Sequence, residues 1–233
     1  MTSSGGYFEF FGLFRSSAGR RLRSLRPVAV AVALLLLALP AGATSSHAVS
    51  SQANGAHVYL LRGVLNIFSL GLDEIAYKLE AQGIPVTIVN YLAWSSLADE
   101  AAADYRSGKV KTIILVGHSS GATALPDMVA RLDQLGAPVK LAIGLDSVFR
   151  TSLSGRVGRY INFYIGNGNG EPVARTKQLH GTLQNVNVQD VPGVGHITIE
   201  KSEIMQRKVI GEIDAVVFGS RPKEASAAPG PAR

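Results

Sequence analysis

The sequence contains no cysteine. That excludes disulfides and thiolate metal sites, an unusual but permitted state for an exported chain. Charged residues make up only 17% and aromatics 7%, with a single tryptophan. No basic helix, aromatic-interleaved basic stripe or zinc-finger spacing is present, so nucleic acid is not an expected partner. The net charge of +6 does not alter this, because residues 1 to 43 hold Arg15, Arg20, Arg21, Arg23 and Arg26 against Glu9 alone. The remainder is nearly neutral. Long apolar runs are also scarce: the longest, Val28 to Leu39, is 12 residues, short for a bilayer crossing.

That run sits between a basic segment and the small residues Ala41-Gly42-Ala43, just after Pro40. This is the order of a secretory signal peptide, so residues 1–43 are expected to direct export to the periplasm or the medium and to be removed. Ser46-His47-Ala48 is a second cleavage choice. Retention of the run as an anchor is the lesser expectation, and no stable span is expected after processing. Residues 44–56 read as a flexible Ser/Ala-rich lead and 220–233 as an unfolded Pro/Ala-rich tail. Between them, 57–219 is long enough for one well-buried domain.

The most informative stretch is Lys111 to Ala124, KTIILVGHSSGATA. Thr112 to Val116 is a β-branched apolar run of the kind that forms a fully buried parallel strand. Gly117-His118-Ser119-Ser120-Gly121 follows, and then a helical pattern with Leu125, Val129, Leu132 and Leu135 on one face. G-x-S-x-G between a buried strand and a helix is the spacing of a sharp turn with serine at its tip and small residues where strand and helix approach. Ser119 is the candidate nucleophile and the Ser120 backbone N–H a candidate oxyanion donor. Ser120 takes no other role here.

Strand patterns alternate with helical ones along the chain. Strands are expected at His57–Leu61, Pro85–Asn90, Thr112–Val116, Pro138–Leu145, Tyr160–Ile165 and Leu183–Val191. Helices are expected near 72–81, 96–106, 122–135 and 202–218, the last with Ile204, Val209, Ile213 and Val216 or Val217 inward. The fold class is therefore α/β: a mostly parallel sheet of about six strands covered by helices on both faces. The turn after the first strand, Arg62-Gly63-Val64-Leu65, can aim a backbone N–H at the nucleophile, from Val64 or Leu65.

A serine hydroxyl needs a base, and histidine is the usual one near neutral pH. Of five histidines, His196 lies in a loop after the last strand, on the sheet edge where the elbow emerges. His180 precedes that strand and is expected at the opposite edge, and His118 is expected to point away from the serine. Asp146 ends the strand that follows the elbow helix and is the expected orienting acid, with Asp190 as competitor and turn-capping as its bland alternative.

With RG at 62–63, GHSSG at 117–121, GLDS at 144–147 and GVGHITI at 193–199, the chain resembles the α/β-hydrolase superfamily in a small, nearly lidless form. The resemblance implies hydrolysis of an ester or thioester through an acyl-enzyme. Ser119 would attack, His196 carry the proton, Asp146 hold His196, and Ser120 with Val64 bind the oxyanion. It implies no cofactor or metal, and a small or lipid-like ester as substrate. Many members carry His-Gly where this chain has Arg62-Gly63. Arg62 and Arg150, together with Arg156 and Arg159, suggest an anionic substrate group, against the alternative that they are solvated. A catalytically silent scaffold and an acyltransferase built on the same residues are the alternatives to hydrolysis.

Overall fold

The computed structural model describes residues 53, 55–64, 69–168 and 170–219. The expected signal peptide, most of the lead, the tail and Leu65 lie outside the described residues.

Six strands are described: β1 (Ala56–Arg62), β2 (Val86–Asn90), β3 (Thr112–His118), β4 (Val139–Leu145), β5 (Ser152–Tyr164) and β6 (Ala174–Asn187). They form one all-parallel sheet in the order β2-β1-β3-β4-β5-β6. The helices are α1 (Gly71–Glu80), α2 (Trp94–Arg106), α3 (Ser120–Gln134) and α4 (Glu203–Val217). None is long and apolar enough to cross a membrane.

The period-2 alternation of β1 and β3 divides the core. Tyr59, Leu61, Ile113 and Leu115 face α2 and α3, meeting Leu97, Ala101, Leu125 and Val129. Val58, Leu60, Ile114 and Val116 face α1 and α4, meeting Leu72, Ile75, Met205 and Val209. Ile113 to Val116 are 0% exposed. Each such side chain contributes about 1.5–3 kcal/mol, which holds β3 firmly next to the site.

The last third of the fold departs from the expected pattern. β5 and β6 are longer than their sequence runs, while the β4–β5 and β5–β6 crossings, where no helix is expected, contain none among the described residues. Leu145 pairs with Phe163 and Val139 with Val157, so the chain must return the length of β4 before Val157. It does so in extended form through Ser152–Ser154 and turns at Gly155 (φ 82°). The start of β6 lies beside this returning arm, with Ser152 paired to Ala174. Two further boundaries shift. Ala53 is fully buried and Ala56 opens β1, so the end of the expected lead belongs to the domain. On α4, Met205 and Gln206 take inner positions and Ile204 is 38% exposed.

Candidate active site

β1 and β3 are neighbours, but the chain leaves β1 toward β2 and returns to β3 on the other side. The carboxyl ends of these two strands form a topological switch point, where α/β sheets collect their functional loops. Ser119 follows β3 there. It has φ 58° and ψ −121°, and with Asp146 (φ 51°) it is one of two non-glycine residues at positive φ among the described residues. The conformation is enforced by close packing. A Cβ on Gly117 would lie 2.5 Å from the Gly121 backbone, and one on Gly121 would overlap the Leu61 carbonyl.

The structure brings Ser119, His196 and Asp146 into one hydrogen-bonded chain. Asp146 is 0% exposed at the end of β4. Its Oδ1 accepts the Ile165 N–H at 2.8 Å, and its Oδ2 accepts from His196 Nδ1 at 2.6 Å. That bond places the proton of a neutral imidazole on Nδ1 and leaves Nε2 bare. Nε2 then accepts from Ser119 Oγ at 3.0 Å. Such an arrangement can take a proton from the hydroxyl while a buried carboxylate stabilises the resulting imidazolium. Asp190 and His180 are not brought to the site: both are exposed, and His180 pairs in register with Arg156 toward the start of β5.

Two backbone N–H groups border the serine. Ser120 is the first residue of α3, so its N–H has no carbonyl within the helix to bond. Val64 lines a recess of about 170 Å³ together with Gly63, Ser69, His118, Ser119, His196 and Ile197. Residue Gly63 is held on both sides. Asn90 Nδ2 donates to the Gly63 carbonyl at 3.3 Å, and the Gly63 N–H donates to Ser69 Oγ at 3.0 Å. In a trans peptide the carbonyl and the next N–H point in opposite directions. Fixing the Gly63 carbonyl on Asn90 therefore turns the Val64 N–H the other way.

Arg62 and Arg150 do not line this recess, and neither do Arg156 and Arg159. Arg62 pairs with Asp73 and Arg156 with Asp133, while Arg150 reaches Glu171 at 2.8 Å and Arg159 reaches Glu212 at 2.6 Å. Each guanidinium is paired with a carboxylate elsewhere in the chain. Arg62 and Arg150, expected as substrate-binding residues, thus lie outside the lining of the recess and are paired with Asp73 and Glu171. What lines the recess beside the polar groups is apolar: Val64 is 48% and Ile197 56% exposed.

Several residues at the site escaped the sequence reading. Thr123 Oγ1 lies 2.9 Å from Ser147 Oγ and accepts the Val148 N–H at 3.2 Å, joining the elbow helix to the segment that carries Asp146. His118 (1% exposed), Ser69 (0%) and Glu200 (0%) form a buried polar group beneath the recess. Burial pushes the His118 imidazole down to about 4, and burial pushes the Glu200 carboxyl up to about 7. The available signal was His118 itself, a polar residue continuing the inward face of an otherwise apolar buried strand. Among the described residues no group of three or more His, Asp and Glu could hold a metal ion.

No protein-family model matches the sequence, and no curated protein does. Solved structures similar to the chain include the NocB thioesterase domain in covalent complex with a fluorophosphonate nocardicin G analogue. It shares 12% identity at a TM-score of 0.47, over 74% of this chain and 98% of that one. An alpha/beta-superfamily protein of Xanthomonas campestris pv. campestris assigned as a hydrolase shares 13% at 0.43, over 68% and 98%. YbtT, a type II thioesterase of a yersiniabactin pathway, shares 10% at 0.39, over 71% and 94%. At these identities and scores the likeness is one of overall fold and carries no argument about chemistry.

Proposed function

We propose that this chain is an exported serine hydrolase that cleaves an ester or thioester through an acyl-enzyme. The observation that carries the reading is the chain Ser119–His196–Asp146, with links of 3.0 and 2.6 Å, at a strained strand-to-helix turn.

Ser119 Oγ attacks the substrate carbonyl as its proton passes to His196 Nε2. Asp146, acceptor of His196 Nδ1–H, stabilises the imidazolium and holds the ring in place. Charge developing on the carbonyl oxygen meets the N–H groups of Ser120 and Val64, donors that need not reorganise during the reaction. Collapse of the tetrahedral intermediate expels the alcohol or thiol, which takes the proton back from His196. Water then enters by the same route, with His196 as base, and releases the acid.

The recess of about 170 Å³ holds Val64 and Ile197 and no arginine or lysine. It fits a short or slender uncharged acyl group better than an anionic one. Export rests on the basic segment, the 12-residue apolar run and the small residues at 41–43.

Treating the purified protein with a fluorophosphonate, with Ser119→Ala alongside, tests the reaction class by intact mass. A single adduct lost in the variant is the expected result. A folded protein that takes up no label would return the chain to a silent scaffold that binds a ligand or partner.

A further inference from the structure

We infer that His118, with Ser69, is a positioning residue that ties the oxyanion-donor segment to the histidine base through one buried ring. The inference rests on the hydrolase reading above and adds a device to it.

The bond directions allow one assignment. The Gly63 N–H can only donate, so Ser69 Oγ accepts it at 3.0 Å. The His196 carbonyl can only accept, so His118 Nε2, 2.8 Å away, carries the ring proton. With His118 neutral, Nδ1 is bare, and it accepts the Ser69 hydroxyl proton at 2.9 Å. The sequence of donors is thus Gly63 N–H to Ser69 Oγ–H to His118 Nδ1, and His118 Nε2–H to the His196 carbonyl. Glu200 Oε2 also lies 3.5 Å from Nε2, but the carbonyl is the nearer acceptor.

The two ends of this chain are the parts of the site that must agree in position. One is the peptide whose neighbour, Val64, supplies an N–H. The other is the backbone of His196, whose ring sits 5.3 Å from that of His118, centroid to centroid. These segments come from opposite ends of the domain and meet through no shared strand. A ring with one donor and one acceptor at fixed separation sets their spacing, and a hydrocarbon of the same volume would not. Ser69 and His118 are both buried, so water does not compete for the bonds.

The variants separate the two arms. His118→Asn retains an acceptor for Ser69 but cannot reach His196, His118→Gln retains a donor for His196, and His118→Phe keeps bulk without either bond. Ser69→Ala removes the oxyanion arm with a small change in volume. Expected for His118→Phe and Ser69→Ala is a kcat on an ester reduced at least tenfold with KM within twofold. The double variant should fall no further than the worse single, because one chain is broken twice. In wild type, 15N-edited NMR should find His118 protonated at Nε2 and bare at Nδ1 at pH 7.

A His118→Phe protein that folds and keeps wild-type kcat overturns the inference, as does a ring protonated at Nδ1. Wild-type protein that takes up no fluorophosphonate overturns the hydrolase reading instead. Wild type and His118→Phe labelling at equal rates overturns the positioning role alone.

Discussion

Gly170 stands against the Asp146 carboxylate, so close that a Cβ at position 170 would overlap Oδ1, the oxygen that accepts the Ile165 N–H. The glycine loop after β5 therefore shapes the acid's seat as well as connecting two strands. Gly170→Ala must displace either the loop or the carboxylate. An error of about 1 Å in a positioned group costs on the order of 10²-fold in rate. The expected result is a kcat lower by roughly that factor with KM little changed, in a protein that still melts cooperatively. A kcat within twofold of wild type would show that the loop yields without moving Asp146.

Asn90 offers a test of the oxyanion donor that leaves the serine, the base and the acid in place. Its Nδ2 donates to the Gly63 carbonyl at 3.3 Å, which turns the Val64 N–H outward. Asn90→Ala frees that peptide to rotate. One misdirected donor is expected to reduce kcat about tenfold or more, up to the roughly 10²–10³-fold cost of removing an oxyanion-hole group outright. A trifluoromethyl ketone, bound as an oxyanion, should lose affinity in parallel, whereas the KM of the matching ester holds. Unchanged inhibitor affinity would place the second donor elsewhere.

Much of this was legible because it is local. The buried run at 112–116, the glycines at 117 and 121 and the helical spacing behind them lie in one segment, and the parallel α/β layout followed from alternation. What escaped depends on contacts between distant positions. Ser69 and His118 are 49 residues apart, and nothing near Ser69 marks it as a hydrogen-bond bridge. The carboxylates that occupy Arg150 and Arg159 lie 21 and 53 residues away. The early parts of β5 and β6 were hidden because residues 152–159 and 174–182 are rich in glycine and polar residues instead of the β-branched apolar runs that mark a strand. On α4, Val209 and Ile213 face inward as expected, but Met205 and Gln206 take the place of Ile204, and Gln206, polar in sequence, is buried by donating to Glu74 and to the Glu200 carbonyl.

The two buried titratable groups under the recess predict opposite pH effects on stability. Burial pushes Glu200 up to about 7 from an ordinary 4.5, so the folded chain keeps a proton that the unfolded chain releases. This group's stability is full below pH 4.5 and is lost as pH rises through 7. Neither Glu200 carboxylate oxygen has a hydrogen-bond partner among the described residues, and Lys201 Nζ, 3.7 Å away, offsets part of the burial cost. His118, pushed down to about 4, contributes stability above pH 6.5 that is lost as pH falls toward 4. Glu200→Gln removes the first effect. It should raise Tm relative to wild type at pH 8 and much less at pH 5, a difference on the order of 2 kcal/mol. A Tm difference that does not vary between these pH values would show that Glu200 does not ionise in this range.

Backbone strain at the nucleophile predicts that two ways of removing its hydroxyl differ in stability. Ser119 has φ 58° and ψ −121°, a region that an L-residue occupies only under constraint. Ser119→Ala and Ser119→Gly both remove the hydroxyl and its 3.0 Å bond to His196, so neither should turn over substrate. They differ in the Cβ. Alanine keeps the strain, of order 1–3 kcal/mol for such a residue, and glycine relieves it. Glycine also gives the unfolded chain more freedom, which returns roughly 0.5–1 kcal/mol. The glycine variant should therefore be the more stable of the two by about 1 kcal/mol in urea unfolding, with equal m-values. Equal stability would mean that the turn accommodates a Cβ without cost, and that Gly117 and Gly121, which let helix and strand close around it, set the elbow alone.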